Sequence, residues 1–501
     1  MFNLSTLKNS NASHIVAIDL GSNSFHMIIA QWQDGQIRLL DKLREPVQLG
    51  FGLQEDGSLA EDARSRAMSC LKRFGECLRG YSSRNVRIVG TKTLRSMKNS
   101  NDFLTEAQQY LGYPVEIISG DEEARLIYFG VAQGVAPVKG KRLVMDIGGG
   151  STEIILGEGM KPLLKESLNM GCVAITKRFF ADGKVNERNL VKAMVACLQE
   201  VEPVKDDFFA YDWQEVLGAS GSIKTIAKIC RQKGWGDGSI KREYLQNIIG
   251  HYLVAGNIHA EFEGLSEERR NVFLGGVIVL NALFESMGLK EIQAVDWALR
   301  EGLLFDMKGR LENRDIRQAS VDALAMRFHV NQEKALAVEK TALHLLKQVA
   351  GDWYLAVDDG GKLLSWAARL YQIGLDISHS DYHKHSAYIV QNVDMAGCSR
   401  SEQEQLSALV LAHRKRFPIK QFPMVNTDLV HLAILLRLAA IFHRSRQRDS
   451  NPVIKLQVNN NQLQIKLSSR WMDKHPLTLA DLETEKEYLS DIGYELTVEA
   501  N

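Results

Sequence analysis

Two segments of the chain carry the same spacing of aspartate, glycine and serine. Residues 18–29 read IDLGSNSFHMII and residues 145–156 read MDIGGGSTEIIL, so both contain the pattern Asp-x-Gly-x-x-Ser, with Asp19 matching Asp146. The flanking runs are short and rich in branched residues, which is typical of strands joined by a tight turn. We therefore expect one strand–turn–strand device to occur twice, once in each of two domains.

Turns of glycine and serine between strands can bind phosphate through the backbone. Their successive N–H groups point the same way, and glycine lets the phosphate approach closely. A single turn of this kind is more often structural, whereas two copies with an aspartate at the same offset indicate a ligand site. A third stretch, GASGS at residues 218–222, reads as strand, loop and helix start, a second kind of phosphate cradle. The predicted phosphate-binding residues of the three stretches are Gly21, Ser22, Asn23, Ser24, Gly148, Gly149, Gly150, Ser151, Gly221 and Ser222.

Acidic residues beside these turns suit a divalent cation. Asp19 and Asp146 precede the two turns, and Glu153 follows the second. Mg²⁺ prefers carboxylate oxygens and water as ligands, and a cation offsets the repulsion between acids and phosphate. We expect Mg²⁺ or Mn²⁺ as cofactor, bound near Asp146 and Glu153, with Asp19 as a further ligand through water.

Eight motifs occur in an order and spacing that resemble one enzyme family. They are IDLGSNSFHMII, GTKTLR, IISGDEEARLIYFGV, VMDIGGGSTEI, LNMGC, GASGS, LSEERR and ALREGLL. Together they resemble the exopolyphosphatase and guanosine-pentaphosphate phosphohydrolase family, over essentially the whole chain. That family belongs to the superfamily of actin, sugar kinases and heat-shock ATPases. The resemblance implies two duplicated actin-like (ribonuclease H-like) α/β domains, a site in the cleft between them, and a homodimer.

The resemblance singles out Glu123, in ISGDEEARLI, as the catalytic general base that orients and deprotonates the attacking water. The segment reads as a strand, a turn and a helix start, with Ser119 or Asp121 as N-cap. The alternative interpretation is ordinary first-turn chemistry, in which acids favour the helix dipole and Asp121 pairs with Arg125. We interpret the neighbouring Glu122 as the structural acid.

The resemblance also marks residues around the expected cleft. Arg95, in GTKTLR, and Arg269, in LSEERR, match basic residues that the family places near phosphate. Arginine suits this role because its planar fork binds two oxygens at once. The chain departs from the family near Asp296, where Trp297 stands in place of a small residue. A ring at that position is expected to narrow the back of the cleft.

The pattern of elements predicts four domains. Strands alternate with helices in the first half, which favours α/β sheets for residues 1–133 and 134–313. Helical patterns dominate residues 314–448, and a hairpin, a helix and a strand indicate a small α+β domain over 449–501. The helical domain resembles a degenerate His-Asp phosphohydrolase domain. Its metal-binding pair is replaced by Tyr371 and Gln372, which are poor substitutes for those ligands, so we interpret it as a binding platform without its own catalytic metal.

The charge of the chain argues against a globally basic polyanion-binding protein. It has 61 basic and 61 acidic side chains and a formal net charge of zero, so a polyanion would have to bind in a local groove. Two basic clusters in the helical domain are candidates for such a channel, although a solvated face is an equally good interpretation of either cluster. They consist of His383, Lys384, His385, Arg414, Lys415 and Arg416.

Composition predicts a folded protein of the cytoplasm. Hydrophobic residues make up 45% and charged residues 24% of the chain. No apolar run approaches the roughly 20 residues of a membrane span, and the first residues lack an apolar signal core. The six cysteines show neither zinc-site nor redox-motif spacing. We expect no membrane partner and no specific nucleic acid.

Three functional hypotheses follow from these observations. The main one is an exopolyphosphatase that releases terminal orthophosphate processively from inorganic polyphosphate. The alternative is removal of the 5′ γ-phosphate from guanosine pentaphosphate (pppGpp), which gives ppGpp in the stringent response. A third is an actin-like or sugar-kinase-like nucleotide-binding protein, which would turn over ATP and would not require Glu123.

Overall fold

The computed structural model describes residues 14–33, 36–98, 100–236, 238–311, 315–444 and 453–500. The chain divides into two compact units, Met1–Arg314 and Asp315–Asn501, which are considered separately below. The first unit takes in both predicted α/β domains. The predicted boundaries at 313/314 and 448/449 lie outside the described residues.

Two five-stranded sheets with the same strand order are present in the described part of the first unit. Strands β1 to β5 are His14–Leu20, Phe25–Gln33, Gln36–Glu45, Val86–Gly90 and Glu116–Ile117, in the order β3-β2-β1-β4-β5. Strands β6 to β10 are Lys141–Ile147, Thr152–Glu158, Lys161–Leu168, Glu215–Ala219 and Gln293–Ala294, in the equivalent order β8-β7-β6-β9-β10. In each sheet the first three strands pair antiparallel and the last two join in parallel. The predicted duplication of an α/β domain is confirmed.

Helices cover these sheets. In chain order α1 to α12 are Leu49–Gly52, Glu61–Cys77, Lys92–Ser96, Ser100–Leu111, Gly120–Gly134, Cys172–Phe179, Glu187–Val201, Lys205–Phe209, Ser220–Gln232, Arg242–Ala255, Glu267–Met287 and Leu299–Leu311. Helix α12 follows the second sheet but packs on α5 and β1 of the first half. A Cβ at Gly302 would lie only 1.9 Å from the backbone oxygen of Leu126. Glycine therefore allows the two helices to touch backbone to backbone, and the halves share a core.

The second unit begins with helices and ends in a small sheet. Helices α13 to α18 are Ile316–Arg327, Gln332–Val349, Val357–Leu370, Tyr382–Asn392, Arg400–Ala412 and Thr427–Phe442. The end piece contains β11 Lys455–Asn459, β12 Gln462–Leu467, α19 Ser469–Lys474, α20 Pro476–Ser490 and β13 Glu495–Ala500, with sheet order β11-β12-β13. The hairpin, helix and strand predicted for the end piece are therefore present.

One hydrophobic core runs through the helices and the end piece. Arg437 on α18 reinforces it, because its buried guanidinium donates to the Glu485 carboxylate on α20, with Nη2 2.8 Å from Oε2. The helical segment and the end piece thus fold as one compact unit. Across the described ranges, no helix combines the length and apolarity that a membrane span requires.

Candidate active site

The two repeated turns face each other in the first unit. A Cβ at Gly149 would lie 2.8 Å from Cβ of Ser22, and one at Gly150 would lie 3.1 Å from Oγ of Ser22. The second turn therefore needs glycine because the first turn touches its backbone. Both turns line a single cavity of about 400 Å³, which is the arrangement that the repeat predicts.

The third Gly/Ser stretch joins the same cavity at the start of α9. Gly221 and Ser222 line it together with Arg269 from the first turn of α11. A Cβ at Gly221 would stand 1.6 Å from Nη2 of Arg269, so only glycine leaves room for the guanidinium. The structure thus brings a predicted arginine onto a predicted loop and places a planar cation beside backbone donors, a combination that suits phosphate.

Three carboxylates line the cavity beside the turns. Asp19 and Asp146 lie at corresponding ends of β1 and β6, and Glu123 projects from the first turn of α5. Burial raises the pKa of Asp19 to about 7 and that of Asp146 to about 7. The negative charge of Glu123 raises the pKa of both aspartates further. Three acids buried together disfavour full ionisation unless a cation enters.

Glu123 is held by Arg95. The guanidinium Nη1 lies 2.9 Å from Oε2 of Glu123 and donates a second bond of 2.7 Å to the backbone oxygen of Ile118. Burial raises the pKa of Glu123, while the charge and hydrogen bond of Arg95 lower it, and the net change is upward. Arg95, which the sequence predicts to bind phosphate, is placed here as the partner of the carboxylate. A general base with a raised pKa accepts a proton more readily near neutral pH.

The neighbours of Glu123 have structural partners. Ser119 is the N-cap of α5 and accepts the backbone N–H of Glu122. Arg125 bonds Glu122 at 2.7 and 2.8 Å, and not Asp121 as the i,i+4 spacing suggested. Asp121 instead pairs with Lys165 on β8. The i,i+4 expectation was wrong because Glu122 is buried against Arg125, whereas Asp121 points toward another strand.

The acids fit a divalent cation in part. Oδ1 of Asp19 is buried and finds no hydrogen-bond partner among the described residues. No group of three or more His, Cys, Asp or Glu side chains in those ranges is arranged as a protein-only metal cage. Glu153 is buried and accepts the Ser167 hydroxyl at 2.8 Å, and burial raises its pKa well above the usual range. Mg²⁺ needs only one or two carboxylates, with water and phosphate as further ligands. Asp19 and Asp146, which line the cavity, suit it, and Glu153 is the register partner of Asp146 on β7.

Four cationic residues of the cavity were missed by the sequence analysis. Lys42 and Arg44 come from β3, Lys224 from α9 and Arg300 from the start of α12. Nη1 of Arg300 donates to Nδ1 of His26 at 2.6 Å, a bond that requires a neutral imidazole. Arg300 lies in the quoted ALREGLL motif, which was a signal for it. Lys42, Arg44 and Lys224 belong to no sequence pattern that indicates a site.

Trp297 does not narrow the cavity, so this expectation was wrong. Its ring stacks on Phe305 at 6.0 Å and lies against Gly134, where a Cβ would be 1.9 Å from the indole. The residues that line the cavity in this stretch are the next three, Ala298, Leu299 and Arg300. The ring points to the end of α5 because Gly134 leaves a surface for it there.

The predicted polyanion residues of the second unit are mostly paired or buried. Lys384 bonds Asp381 at 3.0 Å, and Lys415 bonds the same carboxylate. Arg416 lies 3.9 Å from Asp491, and Arg414 lies over the ring of Tyr382. His383 is buried, and burial lowers its pKa to about 4. A role for His383 as an exposed cation is therefore not supported, and the channel as a whole, including His385, stays a prediction.

Comparison with known proteins agrees with this site. The sequence model of the Ppx/GppA phosphatase family matches residues 28–311, and that of Ppx/GppA phosphatase domain III matches residues 316–486. The chain belongs to the Ppx/GppA phosphatase family. The family match covers the second repeated turn, Glu123 and the GASGS loop, and begins after the first turn. The match to domain III covers all the helices α13 to α18.

Curated relatives extend over nearly the whole chain. A protein of Vibrio parahaemolyticus named guanosine-5′-triphosphate,3′-diphosphate pyrophosphatase is 36% identical over 487 residues, covering 97% of this chain and 98% of its own. A protein of the same name from Pseudoalteromonas atlantica is 37% identical over 488 residues, covering 96% and 97%.

Solved structures of the Ppx/GppA family match part of the chain. An exopolyphosphatase from Cytophaga hutchinsonii is 25% identical with a TM-score of 0.54, covering 59% of this chain and 97% of that one. The Aquifex aeolicus member of the Ppx/GppA family is 26% identical with a TM-score of 0.50, covering 60% and 98%. These matches agree with an actin-like fold.

Proposed function

We propose that this chain hydrolyses the terminal 5′-phosphate of guanosine-5′-triphosphate,3′-diphosphate, releasing orthophosphate and the 5′-diphosphate. The observation that carries the proposal is similarity over the full length to relatives named for that substrate, at 36% identity and 97% coverage of this chain. This reverses the order of the two hypotheses drawn from the sequence, in which polyphosphate came first.

The chemistry rests on Glu123 and the turns. Water attacks the terminal phosphorus and loses a proton to the Glu123 carboxylate, while the bridging P–O bond breaks toward the β-phosphate oxygen. Arg95, 2.9 Å from Glu123, keeps the carboxylate in place. Backbone N–H groups of the two repeated turns bind the phosphate oxygens. A backbone nest of this kind binds an anion without a charged side chain.

Asp19 and Asp146 are the residues that would hold Mg²⁺ or Mn²⁺. When bound, such a cation offsets the charge of the phosphates and polarises their oxygens. The unpartnered Oδ1 of Asp19 is the observation in favour of this assignment.

Polyphosphate hydrolysis is the second candidate. One observation favours it, namely the likeness of 59% of this chain to a solved structure named an exopolyphosphatase. Both candidates share the same bond cleavage and the same base. A kinase of the actin superfamily has less support, because the chain belongs to a phosphatase family over both of its units.

Initial rates on pppGpp and on long polyphosphate, measured side by side at one Mg²⁺ concentration, test the proposal. We expect the larger kcat/KM on pppGpp. A larger kcat/KM on polyphosphate would favour the exopolyphosphatase hypothesis instead. Turnover of neither substrate would refute both hypotheses.

Two further properties stay predictions. A homodimer is implied by the resemblance to the family, and sedimentation of the full chain would reveal it. Cytoplasmic location is expected from the sequence, and fractionation of cells that produce the chain would test it.

A further inference from the structure

One buried carboxylate on α12 joins that helix to two elements that precede it in the chain. Oδ1 of Asp306 lies 2.7 Å from Nη2 of Arg125 on α5, and its Oδ2 lies 2.7 Å from Nη1 of Arg87 on β4. Arg310, one turn further along α12, donates to the same Oδ2 at 3.0 Å. Asp306, Arg87 and Arg125 are buried and lie outside the lining of the cavity.

Both arginines continue the connection to the segment that carries Glu123. Nε of Arg125 donates to Oε2 of Glu122 at 2.7 Å, and its Nη2 donates to Oε1 at 2.8 Å. Nε of Arg87 donates to Oε2 of Glu116 on β5 at 3.1 Å. Glu116 and Glu122 therefore bracket the turn between β5 and α5, and Glu123 is the next residue of the helix.

The Asp306 carboxylate is the centre of this network. Burial raises its pKa, but the charges of Arg125, Arg87 and Arg310 outweigh burial and hold that pKa below its usual value. The carboxylate therefore stays ionised near neutral pH. Nη2 of Arg87 is buried and already lacks a hydrogen-bond partner among the described residues, so a lost Asp306 would not be replaced by a spare acceptor.

A buried charge network beside a candidate base is better explained by position than by stability. Taking charges out of water costs much of what their attraction returns, and apolar side chains of similar volume are often equally stabilising. The neighbouring pair depends on position, since Arg95 on α3 bonds Glu123 at 2.9 Å and the Ile118 oxygen at 2.7 Å. Those contacts form only while α5 keeps its place relative to α3.

We propose that Asp306 is a positioning residue for Glu123. It holds α5 through Arg125 and β4 through Arg87, and so fixes where the first turn of α5 places the carboxylate in the cavity. This inference rests on the proposed function, in which Glu123 is the base. The ion-pair partners of Asp306 lie on α5, β4 and α12, and not on the two repeated turns. Loss of Asp306 should therefore impair proton transfer and leave phosphate binding in place.

Asp306→Asn tests this role because it keeps the shape of the side chain and removes its charge. A misplacement of about 1 Å can cost about 10²-fold in rate, so we expect kcat on pppGpp to fall about tenfold to a hundredfold, with KM changed less than about twofold. Glu215→Gln is the matched control, since it removes a carboxylate that lies 2.6 Å from Nε of the buried Arg142 on the other sheet. We expect this control to leave kcat unchanged.

The pH dependence of kcat separates positioning from a loss of folded protein. Burial raises the pKa of Glu123, whereas the charge and hydrogen bond of Arg95 lower it. If Asp306→Asn lets α5 move, the bond to Arg95 weakens, the pKa of Glu123 rises and the acidic limb of the profile moves to higher pH. Loss of a negative charge alone would move that limb to lower pH. The other charged groups that act on Glu123 or respond to it are Lys92, Asp19, Asp146 and Glu153.

Urea titration at the assay pH reports how much of each variant is folded. Glu122→Gln is the milder second variant, because a glutamine oxygen still accepts a hydrogen bond from Arg125, and we expect a smaller shift in the same direction. A fall in kcat that disappears after correction for the folded fraction would overturn the proposal. An acidic limb that stays in place in both variants would overturn it as well.

A readout without turnover separates this inference from the proposed function. Infrared titration of the carboxyl groups of the full chain gives the pKa of Glu123, whose band is assigned by its absence from Glu123→Gln. We expect that pKa to be higher in Asp306→Asn than in the wild-type chain and unchanged in Glu215→Gln. If the wild-type chain cleaves neither pppGpp nor polyphosphate but this pKa rises, the proposed function fails and the positioning of Glu123 stands. An unchanged pKa in Asp306→Asn would overturn the role of Asp306 even if pppGpp is cleaved.

Discussion

Buried titratable groups are arranged differently in the two compact units. In Met1–Arg314, the carboxylates of Asp19, Asp146 and Glu123 line a cavity. In Asp315–Asn501, His413 is surrounded by rings, with its centroid 5.0 Å from that of Tyr371 and 5.5 Å from that of Tyr382. The carboxylates of the first unit line a cavity that a ligand can occupy. His413 of the second unit is packed directly against the aromatic rings.

The difference shows when a buried polar residue indicates function. Carboxylates cannot neutralise one another, so a group of them needs a cation or protons. Imidazole and phenol can be buried neutral and packed on each other. His413 satisfies both ring nitrogens, at 2.6 Å from the Val410 oxygen and 3.3 Å from the Tyr382 hydroxyl. Histidines in the second unit are therefore compatible with packing, as the loss of a His-Asp pair at Tyr371 and Gln372 predicts.

Removal of divalent metal is expected to have the largest effect on hydrolysis. We expect EDTA to abolish hydrolysis and excess Mg²⁺ to restore it, because the buried acids repel phosphate without a cation. Asp146→Asn should raise the Mg²⁺ concentration for half-maximal activity more than Glu153→Gln does. Glu153 is bonded to Ser167 and serves as the matched comparison. Full activity in EDTA would refute the cation site.

Substitution of Glu123, the proposed base, has the next largest expected effect. Glu123→Gln keeps the shape but removes the proton acceptor, so kcat should fall about 10²–10⁴-fold. Binding of substrate should survive or improve, since a negative charge beside a polyanion is lost. Asp121→Asn, on the same helical turn but paired with Lys165, is the control and should change kcat little. Near-normal turnover by Glu123→Gln would show that another residue is the base.

Acid should destabilise the second unit through its buried histidines. Burial lowers the pKa of His413 from 6.5 to about 3. The unfolded chain therefore binds the proton first, and stability that is full above pH 6.5 is lost as pH falls toward 3. At pH 5 the loss from His413 is about 2 kcal/mol.

Urea titrations at pH 7 and pH 5, followed by tryptophan fluorescence, measure this dependence. We expect a smaller pH effect in His413→Gln than in the wild-type chain. His379 is exposed, so His379→Gln should keep the wild-type dependence. An identical pH effect in all three proteins would contradict the assignment.

The smallest effect is expected from the predicted polyanion residues. Lys415 and Arg416 are exposed but face Asp381 and Asp491. Substitution of Arg414, Lys415 and Arg416 by glutamine should change kcat/KM on pppGpp less than about twofold, because exposed pairs contribute little. If polyphosphate is the substrate, KM for long chains should rise more than KM for short ones, and less so at high salt. Equal effects on both lengths would remove the channel hypothesis.

Much of the fold could be predicted because its signals are local. Helical patterns were predicted to dominate residues 314–448, and α13 to α18 lie in that range. Alternating strands and helices were predicted for the first half, and both five-stranded sheets lie there. Shared packing was harder to predict. Nothing in the sequence indicates that α12 returns to the first half or that Arg437 joins the end piece to the helices, because each contact links distant parts of the chain.

The candidate site likewise has features that local sequence predicts and features that depend on packing. Gly and Ser spacing determines the two turns within six residues each, because backbone N–H groups act through local geometry. Family resemblance marked Glu123 in ISGDEEARLI, whereas the local pattern alone also fitted ordinary first-turn chemistry. The resemblance assigned its partner Arg95 to phosphate. The 2.9 Å contact between Arg95 and Glu123 could not be predicted, because it depends on how α3 and α5 pack.

The duplicated α/β fold could therefore be predicted from the sequence alone, as could the position of two Gly/Ser turns with an acid beside each. Which cations line the cavity could be seen only in the folded chain. His26 and Arg300 are 2.6 Å apart but lie on β2 and α12. Local spacing encodes backbone geometry within a turn, whereas side chains from separate elements meet only after burial of the apolar faces of those elements has set their packing.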